Sequence, residues 1–185
     1  MSNPAPLSHL IERLARVLQN EGHSDGLKPT QWEVLRYLSR ANRFSRTPGA
    51  VTAYLGMTKG TVSQTVLALE RKGLVTKAAA ATDQRSVQLE LTRQGRNALK
   101  NDPAALFEEA AASMTGVKRS QLSSGLETVL KTLLERREGR PFGACRACRH
   151  FRKRHTRGAP HFCSLLEEPL SAEDGEQICI EQEAA

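Results

Sequence analysis

The chain has 185 residues, of which 39% are hydrophobic and only 4% aromatic, and a net charge of +7 with a pI near 9.6. This length allows one domain with a smaller second unit, and the positive charge favours a polyanionic partner over ordinary solubility charge. No apolar run approaches the roughly 20 residues that a membrane-spanning helix requires, which argues against a transmembrane protein.

The first residues, Met1 to Pro4, lack a basic stretch followed by an apolar one, so no signal peptide is expected. We therefore predict a cytoplasmic protein whose thiols stay reduced.

Charge is distributed unevenly along the chain: residues 131–158 carry ten basic and two acidic groups, and residues 159–185 carry seven acidic groups and no basic one. The basic arm, 136–157, either contacts DNA phosphates or pairs with the acidic stretch 167–183, and we favour pairing.

Apolar periodicity and helix-start signals predict a mainly α-helical N-terminal region. An amphipathic helix ends near Gly22, and a second begins after Pro29 with Thr30 as its candidate cap. Thr47-Pro48 starts a short third helix, and Thr58 caps a fourth that Gly73 ends. The helix that begins at Thr92 is expected to break at Asp102-Pro103.

A last helix carries an apolar stripe over residues 122–134, and the stripe over residues 7–18 resembles it. Both stripes suit a dimer interface. The alternative is that they pack inside one chain as part of its buried core. Gly139-Arg140-Pro141 is a stop signal and the predicted domain boundary. The predicted domains are therefore a DNA-binding and dimerisation domain, 1–138, and a small C-terminal module, 139–185.

The helix from Thr58 has one apolar side and one polar side. Val62, Val66 and Leu69 would anchor it to the core. Short polar groups, one amide and one cation near its start fit a helix placed in the major groove of DNA, with a solvated surface helix as the alternative. The residues that we assign to this face are Thr58, Lys59, Gly60, Thr61, Ser63 and Gln64.

Residues 74–91 predict a two-stranded β-wing directly after this helix. Ser86, Gln88 and Glu90 alternate with apolar residues, which is typical of a half-buried strand. At the tip, Arg85 is positioned to enter the minor groove, and Asp83 is placed to orient its guanidinium. The combination of polar helix and wing favours DNA binding over the solvated-surface alternative.

With these features the chain resembles the MarR family of winged helix-turn-helix transcriptional regulators over roughly residues 5–138. The resemblance rests on five segments: Pro29–Leu35, Lys59–Gln64, Leu69–Val75, Asp83–Arg85 and Leu91–Gly95. It implies a homodimer built from the first and last helices, a pseudo-palindromic double-stranded DNA operator and a small-molecule effector. The chain departs from the family at its alanine-rich wing tip, residues 78–81, and lacks an N-terminal cysteine for peroxide sensing.

Four cysteines lie in the last 41 residues, with the spacing Cys145-x2-Cys148-x14-Cys163-x15-Cys179. A Cys-x2-Cys turn with two distant cysteines can close a four-thiolate metal site. The spacing is similar to that of small tails that hold a four-iron cluster, which favours a 4Fe–4S cluster, with Zn²⁺ as the alternative cofactor. Two disulfides or unrelated free cysteines are further alternatives.

The sequence therefore predicts a winged helix-turn-helix fold, mainly α with a small β-wing, a helical dimerisation region and a metal-thiolate module. The predicted function is a sequence-specific DNA-binding transcription regulator, a repressor, whose operator binding the thiolate site modulates. One alternative is a similar regulator with a purely structural zinc tail and a small organic effector. The other is an iron–sulfur electron-transfer or assembly subunit. No nucleophile–base pair or carboxylate dyad supports an enzyme.

Overall fold

The computed structural model describes residues 6–79, 87–136, 139, 142–153 and 158–184. Within these ranges the elements of the N-terminal part are α1 (Leu7–Glu21), α2 (Pro29–Arg40), α3 (Pro48–Leu55), α4 (Lys59–Arg71), β1 (Val75–Ala79), β2 (Val87–Leu91), α5 (Arg93–Ala98), α6 (Ala105–Ala112) and α7 (Gly116–Arg136). No helix of these ranges is long and apolar enough to cross a membrane.

Helices α2, α3 and α4 pack around one core with the wing. Proline begins α2 and α3, where the absent N–H costs nothing. The predicted cap at Thr30 is wrong: Lys28 precedes α2, and its backbone N–H donates to the side chain of Gln31 at 3.0 Å. The largest fully buried side chains of this core are Trp32, Tyr37, Leu35, Leu38, Leu69, Leu89, Val34, Val51, Val62, Val66 and Val75.

The wing is an antiparallel pair in which Val75 faces Leu91 and Lys77 faces Leu89. Leu89 and Leu91 are buried and the neighbouring Gln88 and Glu90 are half-buried, as the alternating pattern predicts, whereas Val87, on the apolar side of the same pattern, is exposed. Gly95 packs on the base of the wing, because a Cβ placed there would lie 2.1 Å from the carbonyl oxygen of Leu74. The predicted wing-tip residues Asp83 and Arg85 lie outside the described residues.

The predicted break at Asp102-Pro103 is confirmed. A 3₁₀ turn, Leu99–Asn101, follows α5, and α6 begins at Ala105. Asp102 holds the break in place, because its carboxylate accepts from the backbone N–H of Ala104 at 2.9 Å and from the Arg36 guanidinium at 2.8 Å.

The leucine stripes of α1 and α7 are exposed on this chain. Both helices lack buried residues, so the chain's own core does not cover the stripes and the intrachain-core alternative does not hold. The exposed large apolar residues of the two stripes are Leu7, Leu10, Ile11, Leu14 and Val17 on α1 and Leu122, Leu126, Val129, Leu130 and Leu133 on α7.

The described residues of 142–184 form a small α/β unit, which we call the cysteine module; the sequence predicted a module here but not its strands and helix. After a 3₁₀ turn, Cys145–Ala147, it has strands β3 (Phe151–Lys153), β4 (His161–Cys163) and β5 (Glu168–Leu170), then helix α8 (Ala172–Glu176). The strands pair antiparallel in the order β3-β4-β5. Ser171 caps α8 in a reciprocal pair with Asp174.

The cysteine module packs directly on the winged-helix core rather than extending from α7. Phe142 is buried with its ring centroid 5.1 Å from that of Tyr54 and 6.3 Å from that of Tyr37. Backbone hydrogen bonds of 2.9 Å join Ile178 to Arg40 and Asn42. The predicted boundary at 138/139 stays a prediction, but the two parts share contacts.

Candidate nucleic-acid interface and thiol cluster

The start of α4 is fixed by a threonine cap. The Thr58 hydroxyl oxygen accepts a 3.1 Å hydrogen bond from the backbone N–H of Thr61, and the two hydroxyls lie 2.9 Å apart. Such a cap satisfies one of the free N–H groups of the first turn and holds the helix start in one conformation.

The predicted polar row lies on the exposed side of α4. Lys59, Gly60, Thr61, Ser63 and Gln64 are all exposed, as is the cap residue. A Cβ at Gly60 would meet only the Thr58 hydroxyl, at 3.8 Å, so intramolecular packing does not require glycine there. The structure therefore brings together every predicted helix residue of the DNA-binding face.

The opposite side of α4 anchors it. Val62, Val66 and Leu69 are buried as predicted, and Thr65 is a fourth buried residue that sequence reasoning missed. Its hydroxyl donates to the Thr61 carbonyl at 2.8 Å, which satisfies the buried polar group. Leu67 is partly buried. The polar row consequently stands on a rigid support.

An open groove of about 640 Å³ separates the start of α2 from α4. The α4 side of the groove includes Gly60, Thr61 and Gln64, and the α2 side adds Lys28 and Thr30, which sequence reasoning did not assign to the site. The sequence could have indicated them, because both residues flank Pro29 at the start of a helix, and a helix N-terminus favours a phosphate. Lys72 also lines this groove, but its ammonium donates to the Gly26 carbonyl at 2.8 Å.

The cysteine module brings the four cysteines near one another. Cys145 and Cys179 are buried, while Cys148 and Cys163 are partly exposed, and all four are free thiols. Burial raises the pKa of the Cys145 thiol to about 12, and the nearby Cys179, Cys163 and Cys148 thiols add to the rise. Cys145, Cys163 and Cys179 belong to one packed cluster, and the Cys148 N–H donates to the Cys145 carbonyl at 3.0 Å, so the four residues share one neighbourhood.

The donor set fits a thiophilic metal or cluster, but the thiols are not closed around a centre. Within the described ranges, His, Cys, Asp and Glu side chains form no group of three or more that could hold a metal ion as they stand. Hydrogen bonds to sulfur, which tune metal thiolates, are present: the Glu183 N–H donates to Cys148 Sγ at 3.5 Å. The structure thus supports proximity of the four sulfurs and not a preformed cage.

The winged-helix core contributes to the surroundings of Cys179. Burial raises the pKa of the Cys179 thiol, and the Asn42 side chain beside it opposes that rise. The Asn42 Nδ2 is buried without a conventional hydrogen-bond partner, while its Oδ1 accepts from the Ser45 hydroxyl at 2.8 Å. A thiolate at Cys179 would satisfy this buried N–H.

Described parts of the basic arm pair with the acidic stretch, which confirms that prediction for these residues. Arg149 lies 3.3 Å from Glu183, and Arg146 contacts Glu176. Both pairs are largely exposed and contribute at most about 1 kcal/mol each. Arg154, His155 and Arg157 of the same arm lie outside the described residues.

The comparisons with known proteins agree with this geometry. Residues 25–86 match the sequence model described as the MarR family. A MepR–DNA complex from S. aureus is 20% identical with a TM-score of 0.58, over 70% of this chain and 99% of that chain. No curated protein matches the sequence.

Two further solved structures are similar. A MarR transcriptional regulator from Methanosarcina mazei Go1 is 22% identical with a TM-score of 0.58, over 70% of this chain and 96% of that one. Wild-type MarR from E. coli is 22% identical with a TM-score of 0.53, over 70% of this chain and 99% of that one. At identities this low, the structural similarity shows the fold alone. The chain carries the winged-helix fold of MarR proteins, and residues 25–86 match that family in sequence.

Proposed function

We propose that the protein is a sequence-specific DNA-binding transcription regulator, a repressor, that acts as a homodimer and is not an enzyme. The observation that carries this proposal is the capped start of α4, which presents a row of exposed polar side chains on a buried apolar support. The wing follows at once in the chain. The proteins it resembles support the same reading, since one of them is described in complex with DNA.

The α4 side chains suit contacts in a major groove. The Gln64 amide can pair with an adenine edge through two hydrogen bonds, and Thr61 and Ser63 can bond to bases or phosphates. Lys59 supplies positive charge at the helix start, where the backbone N–H groups also favour an anion. Arg85 and Asp83 at the wing tip remain proposed minor-groove residues.

The exposed stripes of α1 and α7 support the homodimer. Apolar side chains that recur along one helix face and stay exposed mark a surface that another protein covers. A two-fold dimer would place two α4 helices about 34 Å apart, one turn of DNA, which matches a pseudo-palindromic operator.

The four cysteines support a cofactor role as part of the proposal. Cys145, Cys148, Cys163 and Cys179 would hold a 4Fe–4S cluster or, alternatively, Zn²⁺, and either would supply a redox- or metal-dependent link between separate segments of the module. The orphan amide of Asn42 and the Glu183 N–H suit thiolates rather than thiols. The cofactor would then modulate operator binding.

The DNA assignment is tested with the chain's own upstream DNA in fluorescence anisotropy. Gln64→Ala and Lys59→Ala should weaken binding, with Gln64→Ala losing about 5- to 150-fold through one bidentate base contact. Arg93→Ala, at an exposed residue of α5, is the matched control and should bind normally. Unchanged affinity of both α4 variants would refute the assignment.

The cofactor is tested on anaerobically purified protein. Iron with labile sulfide and a brown colour would identify the cluster, and one zinc per chain in a colourless protein would identify zinc. Bound metal whose removal leaves DNA affinity unchanged would favour the structural-zinc alternative. A reversibly reduced cluster without sequence-specific DNA binding would favour the electron-transfer alternative.

A further inference from the structure

A six-residue loop between α2 and α3, residues 41–46, lies between the cysteine module and the wing. On the module side the Asn42 N–H donates to the Ile178 carbonyl, and the Ile178 N–H donates to the Arg40 carbonyl, both at 2.9 Å. The Ile180 N–H donates to the Ser45 hydroxyl at 2.9 Å. The residues on both sides of Cys179 are therefore attached to this loop or to the end of α2.

The loop is buried where it meets the thiols. Asn42 and Ser45 are 0% exposed, and a 2.8 Å hydrogen bond joins their side chains. The Asn42 side chain lies beside the Cys179 thiol and lowers its pKa against the rise that burial causes. Because these groups are close-packed, a displacement of Cys179 must be accommodated by the loop rather than by solvent.

On its other side the same loop holds strand β2 of the wing. The Leu89 N–H donates to the Arg46 carbonyl at 2.7 Å, and the Gln88 amide donates to the Arg43 carbonyl. The Arg46 guanidinium spans the loop: its Nε donates to the Ala41 carbonyl at 2.9 Å, and its Nη1 lies 3.1 Å from the Glu90 carboxylate.

We propose that the 41–46 loop transmits the state of the thiol cluster to wing strand β2, with Arg46 as the positioning residue of the connection. The proposal rests on the proposed function and specifies its regulation. The described thiols are not arranged as a closed metal site, so metal binding requires the sulfurs to move together. Cys179 moves between two anchored neighbours, the loop shifts with it, and β2 shifts with the loop.

This route differs from one through the dimer helices, because it changes the setting of each wing without changing the separation of the two α4 helices. Wing position governs minor-groove and phosphate contacts at the edges of a site. Coupling between two sites in one protein is typically about 5- to 150-fold in affinity, and the loop connection is expected to act in that range.

Amide hydrogen exchange on the full-length protein tests the route directly, with Zn²⁺ as the probe and a chelator for the metal-free state. Zinc should change exchange at Asn42 and Ile180 on the module side and at Leu89 on the wing side, in the absence of DNA. Zinc binding that alters Asn42 and Ile180 but leaves Leu89 unchanged would overturn the proposal.

Arg46→Met tests the connection. Methionine keeps the apolar part of the side chain but removes its bonds to the Ala41 carbonyl and the Glu90 carboxylate. The zinc effect on Leu89 exchange and on DNA affinity should fall from at least about fivefold to less than about twofold. Arg119→Met is the matched control: it removes an ion pair with Glu108 at 2.9 Å, away from the wing, and should keep the full zinc response. If Arg46→Met does not fold, Glu90→Gln weakens the same pair from the wing side.

The outcomes separate the two proposals. A wild-type protein whose DNA affinity does not respond to zinc would contradict metal control of the regulator. A zinc response that Arg46→Met and Glu90→Gln both leave intact would contradict only the route through the loop.

Discussion

The backbone N–H of Asn42 and the carbonyl of Ile178 form a 2.9 Å hydrogen bond between the winged-helix core and the cysteine module. The two residues are far apart in sequence, so the bond joins two separate parts of the chain. This bond makes the C-terminal cysteines neighbours of the DNA-binding domain rather than a tail beyond the dimer helix.

Phe142→Ala should loosen the module from the core. The Phe142 side chain is 6% exposed and packs edge-on against two tyrosines, and its backbone has a φ of 50° that packing must hold in place. Truncating a buried phenylalanine costs about 3–5 kcal/mol. The free energy of unfolding in urea should fall by that amount, and limited proteolysis should release the module.

Leu165→Ala is the control for Phe142→Ala, because Leu165 belongs to the same module but is 43% exposed. It should change the free energy of unfolding by no more than about 0.5 kcal/mol. Equal losses in the two variants would show that Phe142 does not fasten the module.

Thr58→Ala should destabilise the start of α4. The substitution removes the oxygen that accepts from the Thr61 N–H, which costs about 1 kcal/mol for a helix cap. DNA affinity should fall as well, because the polar row begins in the turn that frays. Thr58→Ser retains the acceptor and should restore both properties; a serine variant as unstable as the alanine variant would contradict the capping role.

Gly95→Ala should disrupt the base of the wing. The added Cβ would lie 2.1 Å from the Leu74 carbonyl oxygen, so the backbone must shift, at a cost of about 1–3 kcal/mol or more. Gly49→Ala is the control, since a Cβ there meets only the Thr47 hydroxyl, at 3.9 Å. Thermal unfolding should separate the two variants, and an unchanged melting temperature for Gly95→Ala would contradict the described contact.

Glu33→Gln should stabilise the protein at neutral pH. Burial raises the pKa of the Glu33 carboxyl above its ordinary value of 4.5, and the nearby Arg36 opposes only part of that rise. Between 4.5 and the folded pKa, the folded carboxyl keeps a proton that the unfolded one has lost. Wild-type stability therefore falls as pH rises through this window, and the loss is complete above it.

The measurement for Glu33 is the free energy of unfolding of both proteins from pH 4 to pH 7.5. The advantage of the glutamine variant should be present at pH 7, shrink as pH falls through the folded pKa towards 4.5, and be absent below that. A difference that does not vary with pH, or a less stable variant at pH 7, would show that the charge of Glu33 is not disfavoured in the fold.

The winged-helix part could be predicted because its signals are local. The Thr58 cap, the apolar spacing along α4 and the alternation in β2 are properties of a few consecutive residues. The structure confirms the cap and the spacing, and it confirms the alternation at Leu89 and Leu91 but not at Val87, which is exposed. The assignment of Arg85 and Asp83 stays a prediction, because these residues lie outside the described ranges.

The cysteine module could not be predicted in the same way. Its strands have three residues each, which is too short for an alternating apolar–polar pattern to be recognised in the sequence. Its attachment depends on Asn42 and Ser45, two polar residues in a loop that are buried only because distant segments cover them. Contacts of this kind leave no local pattern in the sequence.

The central claim, that the α4 face reads a DNA sequence, is tested most directly by one affinity ratio. Full-length protein is titrated at physiological salt with its own upstream DNA and with a scrambled duplex of the same length and composition. Specific recognition predicts tighter binding to the upstream DNA by at least about 1,000-fold. Equal affinity for the two duplexes would contradict the account.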